Sequence, residues 1–163
     1  MRLSLAPIPF FWPRQRVMDF YAQAAQWSVD TVYLGETVCP KRREVRLPDW
    51  LAIAEQLQAQ GKQVVLSSLA LIAADSDLKT VRAVCRNGRY AVEANDIGAV
   101  HLLAELGVPF VCGPSINIYN AGTLKILRDL GMQRWVMPVE LSGQTLHAIL
   151  QDMQALTSPP ETE

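Results

Sequence analysis

Apolar residues follow two kinds of pattern that take turns along the chain. Short runs of β-branched and aromatic residues, such as residues 31–34, predict buried strands. Between these runs apolar residues recur every three or four positions, which predicts helices with one face on a core. The predicted strands are residues 3–6, 31–34, 64–66, 90–92, 108–112 and 135–137. The predicted helices begin near residues 13, 48, 75, 97, 120 and 142.

Strands that alternate with helices in this way run parallel and are joined by helical crossovers. An open doubly wound sheet would usually carry a glycine-rich phosphate loop after its first strand, but residues 7–10 there are Pro-Ile-Pro-Phe. Polar groups follow several different strands, which favours the active face of a barrel. A complete barrel has eight strands in about 250 residues. The predicted fold is therefore α/β, a partial (β/α)8 TIM-type barrel of about six units.

The predicted barrel occupies residues 1–156, and residues 157–163 form a polar tail that is expected to mark a truncation point. If the chain stops there, the first and sixth strands are expected to be the open edges of the sheet.

The composition of the chain excludes some classes of function but does not indicate a particular one. The chain has 163 residues, half of them hydrophobic, and a net charge of −1, which suits one globular domain and gives no electrostatic case for nucleic acid. No apolar run reaches the roughly 20 residues of a membrane span, and no signal peptide is expected. Three widely spaced cysteines argue against a disulfide framework and fit a cytoplasmic protein.

The loop after the second strand concentrates reactive side chains. Gly35 allows a turn, and Glu36, Cys39 and residues 41–43 (Lys-Arg-Arg) follow it. Glu36 could act as a base, orient a ligand, or pair with Arg42 or Arg43. Cations near Cys39 would favour the thiolate, which is both a nucleophile and a metal ligand.

Further polar candidates follow the later strands, where a barrel would bring them to one rim together with Ser67 and Ser68. They are Asn95, Asp96, Asn117, Asn120 and Glu140. Asp96 and Asn120 could instead be helix caps, and Glu140 could instead be a surface residue. No helix begins at Asn117, so this residue is predicted to serve function rather than stability.

The remaining cysteines and the histidines do not indicate a functional site. Cys85 and Cys112 stand in apolar patterns and are predicted to be packing residues. His101 and His147 lie in separate predicted helices without a metal-ligand spacing. No nucleophile elbow or phosphate loop occurs.

Four phrases taken together resemble the collagenase-like peptidase family of TIM-barrel proteins. They are residues 34–42 (LGETVCPKR), 92–98 (VEANDIG), 116–120 (INIYN) and 137–142 (MPVELS). The resemblance extends along nearly the whole chain.

Within this family the chain is most similar to a branch that acts in oxygen-independent hydroxylation in ubiquinone biosynthesis. The resemblance implies a heterodimer with a related subunit, a lipid-carrier partner, and prephenate as the proposed hydroxyl donor. It also implies a four-iron, four-sulfur cluster on four cysteines, of which Cys39 matches the first, while the other three would lie beyond residue 163. Residues expected around the site are Glu36, Arg42, Asn95, Asn117, Asn120 and Glu140. Two alternatives stay open, a peptidase and a non-catalytic barrel that binds a partner.

Overall fold

A computed structural model describes residues 2–153 and 159–163, and the predicted boundary at residues 156 and 157 lies outside them. The described residues form one parallel sheet in which neighbouring strands follow chain order. The strands are β1 Ser4–Leu5, β2 Thr31–Leu34, β3 Gln63–Ser67, β4 Ala91–Ala94, β5 Phe110–Cys112, β6 Met132–Trp135 and β7 Glu161–Thr162. The helices are α1 Arg14–Ala24, α2 Leu47–Ala59, α3 Asp75–Cys85, α4 Ile97–Glu105, α5 Ala121–Asp129 and α6 Gly143–Met153, and Pro114–Ile116 form a 3-10 turn.

Sequential parallel strands joined by helices curl into a half-barrel, so the predicted partial TIM-type barrel is confirmed. The loops that leave the carboxyl ends of the strands share one rim of this half-barrel. No helix among the described residues is long and apolar enough to cross a membrane.

Two details of the sheet differ from the sequence prediction. The sixth strand begins at Met132 rather than at Trp135, because Gly131 (φ 111°) turns the chain straight from α5 into β6. A seventh strand forms within the predicted polar tail and pairs with β6. The prediction that the sixth strand is an open edge was therefore wrong.

Ion pairs and a hydrogen bond, rather than apolar contacts, attach β7 to the rest of the sheet. The pattern of hydrophobic residues therefore does not predict this strand. The guanidinium of Arg134, which is 8% exposed, contacts Glu161 at 2.8 Å and Glu163 at 3.4 Å. Tyr33 on β2 donates a hydrogen bond of 2.6 Å to Glu163 across the interior. Burial raises the pKa of the Tyr33 phenol, so this hydroxyl stays a donor.

The apolar core lies mainly outside the sheet, between the strands and the helices. One cluster joins β2 and β3 to α1 and α2, and a second joins β4–β6 to α3–α6. Val84 on α3 packs against both clusters. The inner surface has only a small apolar cluster, made by Tyr33, Val65 and Val111 with Val136.

Candidate functional site at the carboxyl ends of the strands

A buried polar cluster lies where β3 and β4 end. The Asn95 side-chain amide donates to Glu93 Oε2 at 2.9 Å and to the Ser68 carbonyl at 3.2 Å. The Asn95 backbone N–H donates to Ser68 Oγ at 3.0 Å. Since Glu93, Asn95 and Ser68 are each at most 4% exposed, these bonds fix the cluster in one arrangement.

One buried polar atom of this cluster has no partner among the residues that the structure describes. This atom is the Ser67 hydroxyl oxygen, Oγ. Burial raises the pKa of the Glu93 carboxyl, and the hydrogen bond from the Asn95 amide opposes that rise. A buried carboxyl beside an unpaired hydroxyl is able to bind a polar group or exchange a proton.

Gly113, directly after β5, has no side chain, and the Asn95 and Glu93 side chains lie in the space that one would need. A Cβ at this position would lie 2.0 Å from Asn95 Oδ1 and 2.8 Å from Glu93 Oε1. Glycine is therefore required here because two functional side chains occupy the volume of a methyl group.

Replacing Glu93 by glutamine should stabilise the protein by an amount that grows as pH rises. The folded carboxyl, with its raised pKa, keeps a proton that the unfolded chain has already released, so wild-type stability falls through that range. Glutamine has nearly the same shape and cannot ionise. Urea denaturation between about pH 4 and pH 8 measures the difference in unfolding free energy. A difference that does not change with pH would contradict the burial of this carboxyl.

For Glu140→Gln we expect the difference in stability from wild type to change with pH in the opposite direction. The Tyr119 hydroxyl donates to Glu140 and lowers the pKa of that exposed carboxyl. This contribution to stability is present above the unfolded pKa and is lost as pH falls. The glutamine variant should therefore lose stability relative to wild type as pH rises.

The Cys39 loop occupies the same rim, after β2. Glu36 Oε1 accepts hydrogen bonds from the backbone N–H groups of Val38 (2.9 Å) and Cys39 (3.0 Å). It also lies 3.7 Å from the guanidinium of Arg42. Glu36 thus folds the loop and pairs with Arg42, which is one of the roles that the sequence left open.

Two contacts tie this loop to the rest of the rim. Arg42 Nη1 donates to the Pro9 carbonyl at 2.9 Å, which joins the loops after β1 and β2. The backbone N–H of Ala70 donates to the Thr37 carbonyl at 2.9 Å, which joins the loops after β2 and β3. The Cys39 thiol, which is half-buried, is therefore presented from a constrained loop.

Two of the predicted candidates are helix caps. Asp96 accepts from the Gly98 N–H at 2.7 Å at the start of α4, and Asn120 accepts from the Thr123 N–H at 2.8 Å at the start of α5. Ser142 likewise accepts from the Thr145 N–H at the start of α6. The capping interpretation of Asp96 and Asn120 is confirmed.

Asn117 has a conformational role that the sequence did not show. It ends the 3-10 turn in the left-handed region, with φ 59° and ψ 53°, and its side chain is exposed. Asparagine tolerates this region better than other residues with a Cβ.

Asn117→Ala should lower the unfolding free energy by about 1 kcal/mol, because alanine is strained in a left-handed backbone. Asn117→Gly should cost much less, since glycine adopts this conformation freely. Urea denaturation of both variants compares them directly. Equal losses for alanine and glycine would show that the side chain, and not the backbone, matters here.

The other two cysteines lie in the core. Cys85 is 2% exposed and Cys112 is fully buried, and burial raises the pKa of their thiols to about 11 and about 12. The prediction that both are packing residues agrees with this burial. No group of three or more His, Cys, Asp or Glu side chains in residues 2–153 and 159–163 is arranged to hold a metal. Cys39 is the one of the three cysteines that the core does not enclose.

Glu93 is the site residue that sequence reasoning missed. It stands inside β4 rather than after it, so the rule that ligands follow strand ends passes over it. The alternation of side chains along a strand could have revealed Glu93. Val92 and Ala94 face the outer core, so the residue between them must face the interior. Arg134 on β6 lacks this signal, because a register irregularity opposite Phe110 and Val111 breaks the strict alternation of that strand.

These features define a half-barrel α/β protein whose carboxyl-end rim carries a buried carboxyl cluster and one half-buried thiol. A family model described as peptidase family U32 matches residues 17–158. This match spans most of the chain, and the protein belongs to that family. The resemblance at the level of the family is confirmed.

Proposed function

We propose that this chain is a UbiV-like protein, one half of a heterodimer with a UbiU-like subunit, that supports oxygen-independent hydroxylation in ubiquinone biosynthesis. The proposal includes a UbiT-like lipid carrier as a further partner, prephenate as the hydroxyl donor and a cytoplasmic location. It takes the partners and the hydroxyl donor from the four sequence phrases that resemble this branch, within a family to which the chain belongs, and the location from the three widely spaced cysteines.

The observation that carries the proposal is the different setting of the three cysteines. Cys39 is half-buried in a constrained loop at the rim, whereas Cys85 and Cys112 are enclosed by the core. Thiolates are the ligands of a four-iron, four-sulfur cluster, and four are needed. We propose that Cys39 supplies the first and that residues outside these 163 supply the other three.

The cluster, when bound, would exchange electrons at the rim. The chain's own residues have three distinct tasks in this proposal. Glu36 and Arg42 hold the Cys39 loop in its folded form through the contacts described above. Glu93, oriented by Asn95, binds a polar group of the substrate or holds a proton at its carboxyl. Tyr119 and Glu140 pair across the loops after β5 and β6.

Purification under anaerobic conditions of the protein produced from its native gene tests the proposal. We expect about four iron atoms and four sulfides per chain, with broad visible absorbance that bleaches on reduction. Cleavage of denatured collagen by iron-free protein would instead favour the peptidase alternative. Iron-free protein that neither cleaves peptides nor restores the quinone pathway would leave the partner-binding alternative.

A further inference from the structure

A cavity of about 570 Å3 lies beside the rim, between the start of α2 and the exposed side of α3. Its floor is the carboxyl end of β2 and β3, and the loop that carries Cys39 forms one wall. Helix α2 packs against α1 and α3 packs against α4, while the contact between α2 and α3 is slight. The two outer core clusters meet at this gap, so the cavity is a break in the helical layer.

The lining of the cavity combines an apolar floor with positive charge. Half-buried Trp50 and Val84 present apolar surface to the cavity, and Leu34, Leu66 and Val81, each at most 1% exposed, form the packed layer beneath it. Four cationic side chains stand against two carboxylates. The cations are Arg42, Arg43, Arg46 and Lys79, and the carboxylates are Glu36 and Asp77.

Both carboxylates already accept hydrogen bonds from nearby backbone N–H groups. Glu36 accepts from backbone N–H groups and pairs with Arg42. Asp77 accepts from the backbone N–H groups of Ala73 and Ala74 at the start of α3. By contrast Arg43, Arg46 and Lys79 form no ion pair with any described residue. A chain with a net charge of −1 therefore concentrates around one cavity three cations without an ion pair to any described residue, of which Arg46 also lies near the Asp49 carboxylate.

We propose that this cavity binds a small organic carboxylate with an apolar ring or chain. The volume is in the range of small-molecule sites, and apolar walls with few polar groups are typical of them. Arginine and lysine at the entrance would recognise the carboxylate, and the floor would take the hydrocarbon body. Prephenate, the proposed hydroxyl donor, belongs to this class of ligand. The inference itself uses neither the iron–sulfur cluster nor the partner subunits, so binding to the cavity is tested separately from the quinone-pathway activity.

Binding of 2-naphthoate and of its uncharged amide, 2-naphthamide, tests this proposal. We expect naphthoate to bind, naphthamide to bind much more weakly, and the difference to shrink as ionic strength rises. Shifts of the backbone N–H resonances of Arg43, Lys79 and Thr80 would locate the ligand in the cavity. Inorganic phosphate is the third probe, and equal shifts with phosphate alone would overturn the requirement for an apolar body.

Four exposed positions provide variants that should leave the fold intact: Arg43 in the loop after β2, and Lys79, Thr80 and Arg82 on α3. Arg43→Gln and Lys79→Gln should each weaken naphthoate binding about two- to fivefold. Arg82→Gln, on the same helix but outside the lining, should leave binding unchanged. Thr80→Phe should fill the cavity and reduce binding more than about tenfold while the melting temperature stays near that of wild type. Naphthoate binding that none of these variants alters, or no naphthoate binding at all, would overturn the proposal.

Discussion

Gly35→Ala should lower the free energy of unfolding by about 3 kcal/mol or more, the largest loss of stability expected from any methyl-sized change on the rim. Gly35 is buried and has φ 153°, a conformation that residues with a Cβ rarely adopt. A Cβ there would lie 2.3 Å from the Ser67 carbonyl oxygen. Because the obstacle is the backbone of β3, no side chain can move aside. The two strands would separate at the point where the Cys39 loop begins.

Gly61→Ala is the matched control for this effect. Gly61 also has a positive φ, 77°, but an added Cβ would meet no atom within 4 Å. Its alanine variant should therefore lose only the backbone term, about 1 kcal/mol. Urea denaturation of both variants gives the two losses. Similar losses would show that the close approach of β2 and β3 at Gly35 contributes little.

Much of the fold could be predicted from the sequence, because interactions between residues that are close along the chain determine its helices and strands. Apolar runs followed by helical spacing gave six of the strands and all six described helices in the right order. The caps Asp96 and Asn120 were found because a side-chain oxygen at a helix start acts on N–H groups only two or three residues away. Parallel pairing followed from the connections between strands.

The missing parts depend on contacts between distant residues. β7 is held by Arg134, which lies 27 residues earlier than Glu161, and by the hydrogen bond from Tyr33 to Glu163. The importance of Glu93 depends on Asn95, on Ser67 and on Gly113, which directly follows the next strand. Neither feature is visible until the strands are placed side by side. The left-handed backbone of Asn117 is local by contrast, but the short turn that it ends has no periodic signature.

Cys39→Ala should abolish cluster binding in the protein produced from its native gene. Three thiolates cannot complete the usual four-cysteine ligation, and alanine offers no replacement ligand. Cys85→Ala and Cys112→Ala remove thiols that are buried in the core and have raised pKa values, so neither should alter iron content. The quinone-pathway activity should fall with Cys39→Ala and persist in the two controls.

The iron and sulfide content per chain of anaerobically purified wild type, Cys39→Ala, Cys85→Ala and Cys112→Ala tests the cluster assignment most directly. We predict about four iron atoms and four sulfides per chain for wild type and both control variants, and little of either for Cys39→Ala. Equal content in all four proteins, or equal loss in all three variants, would contradict the assignment of Cys39 as a cluster ligand.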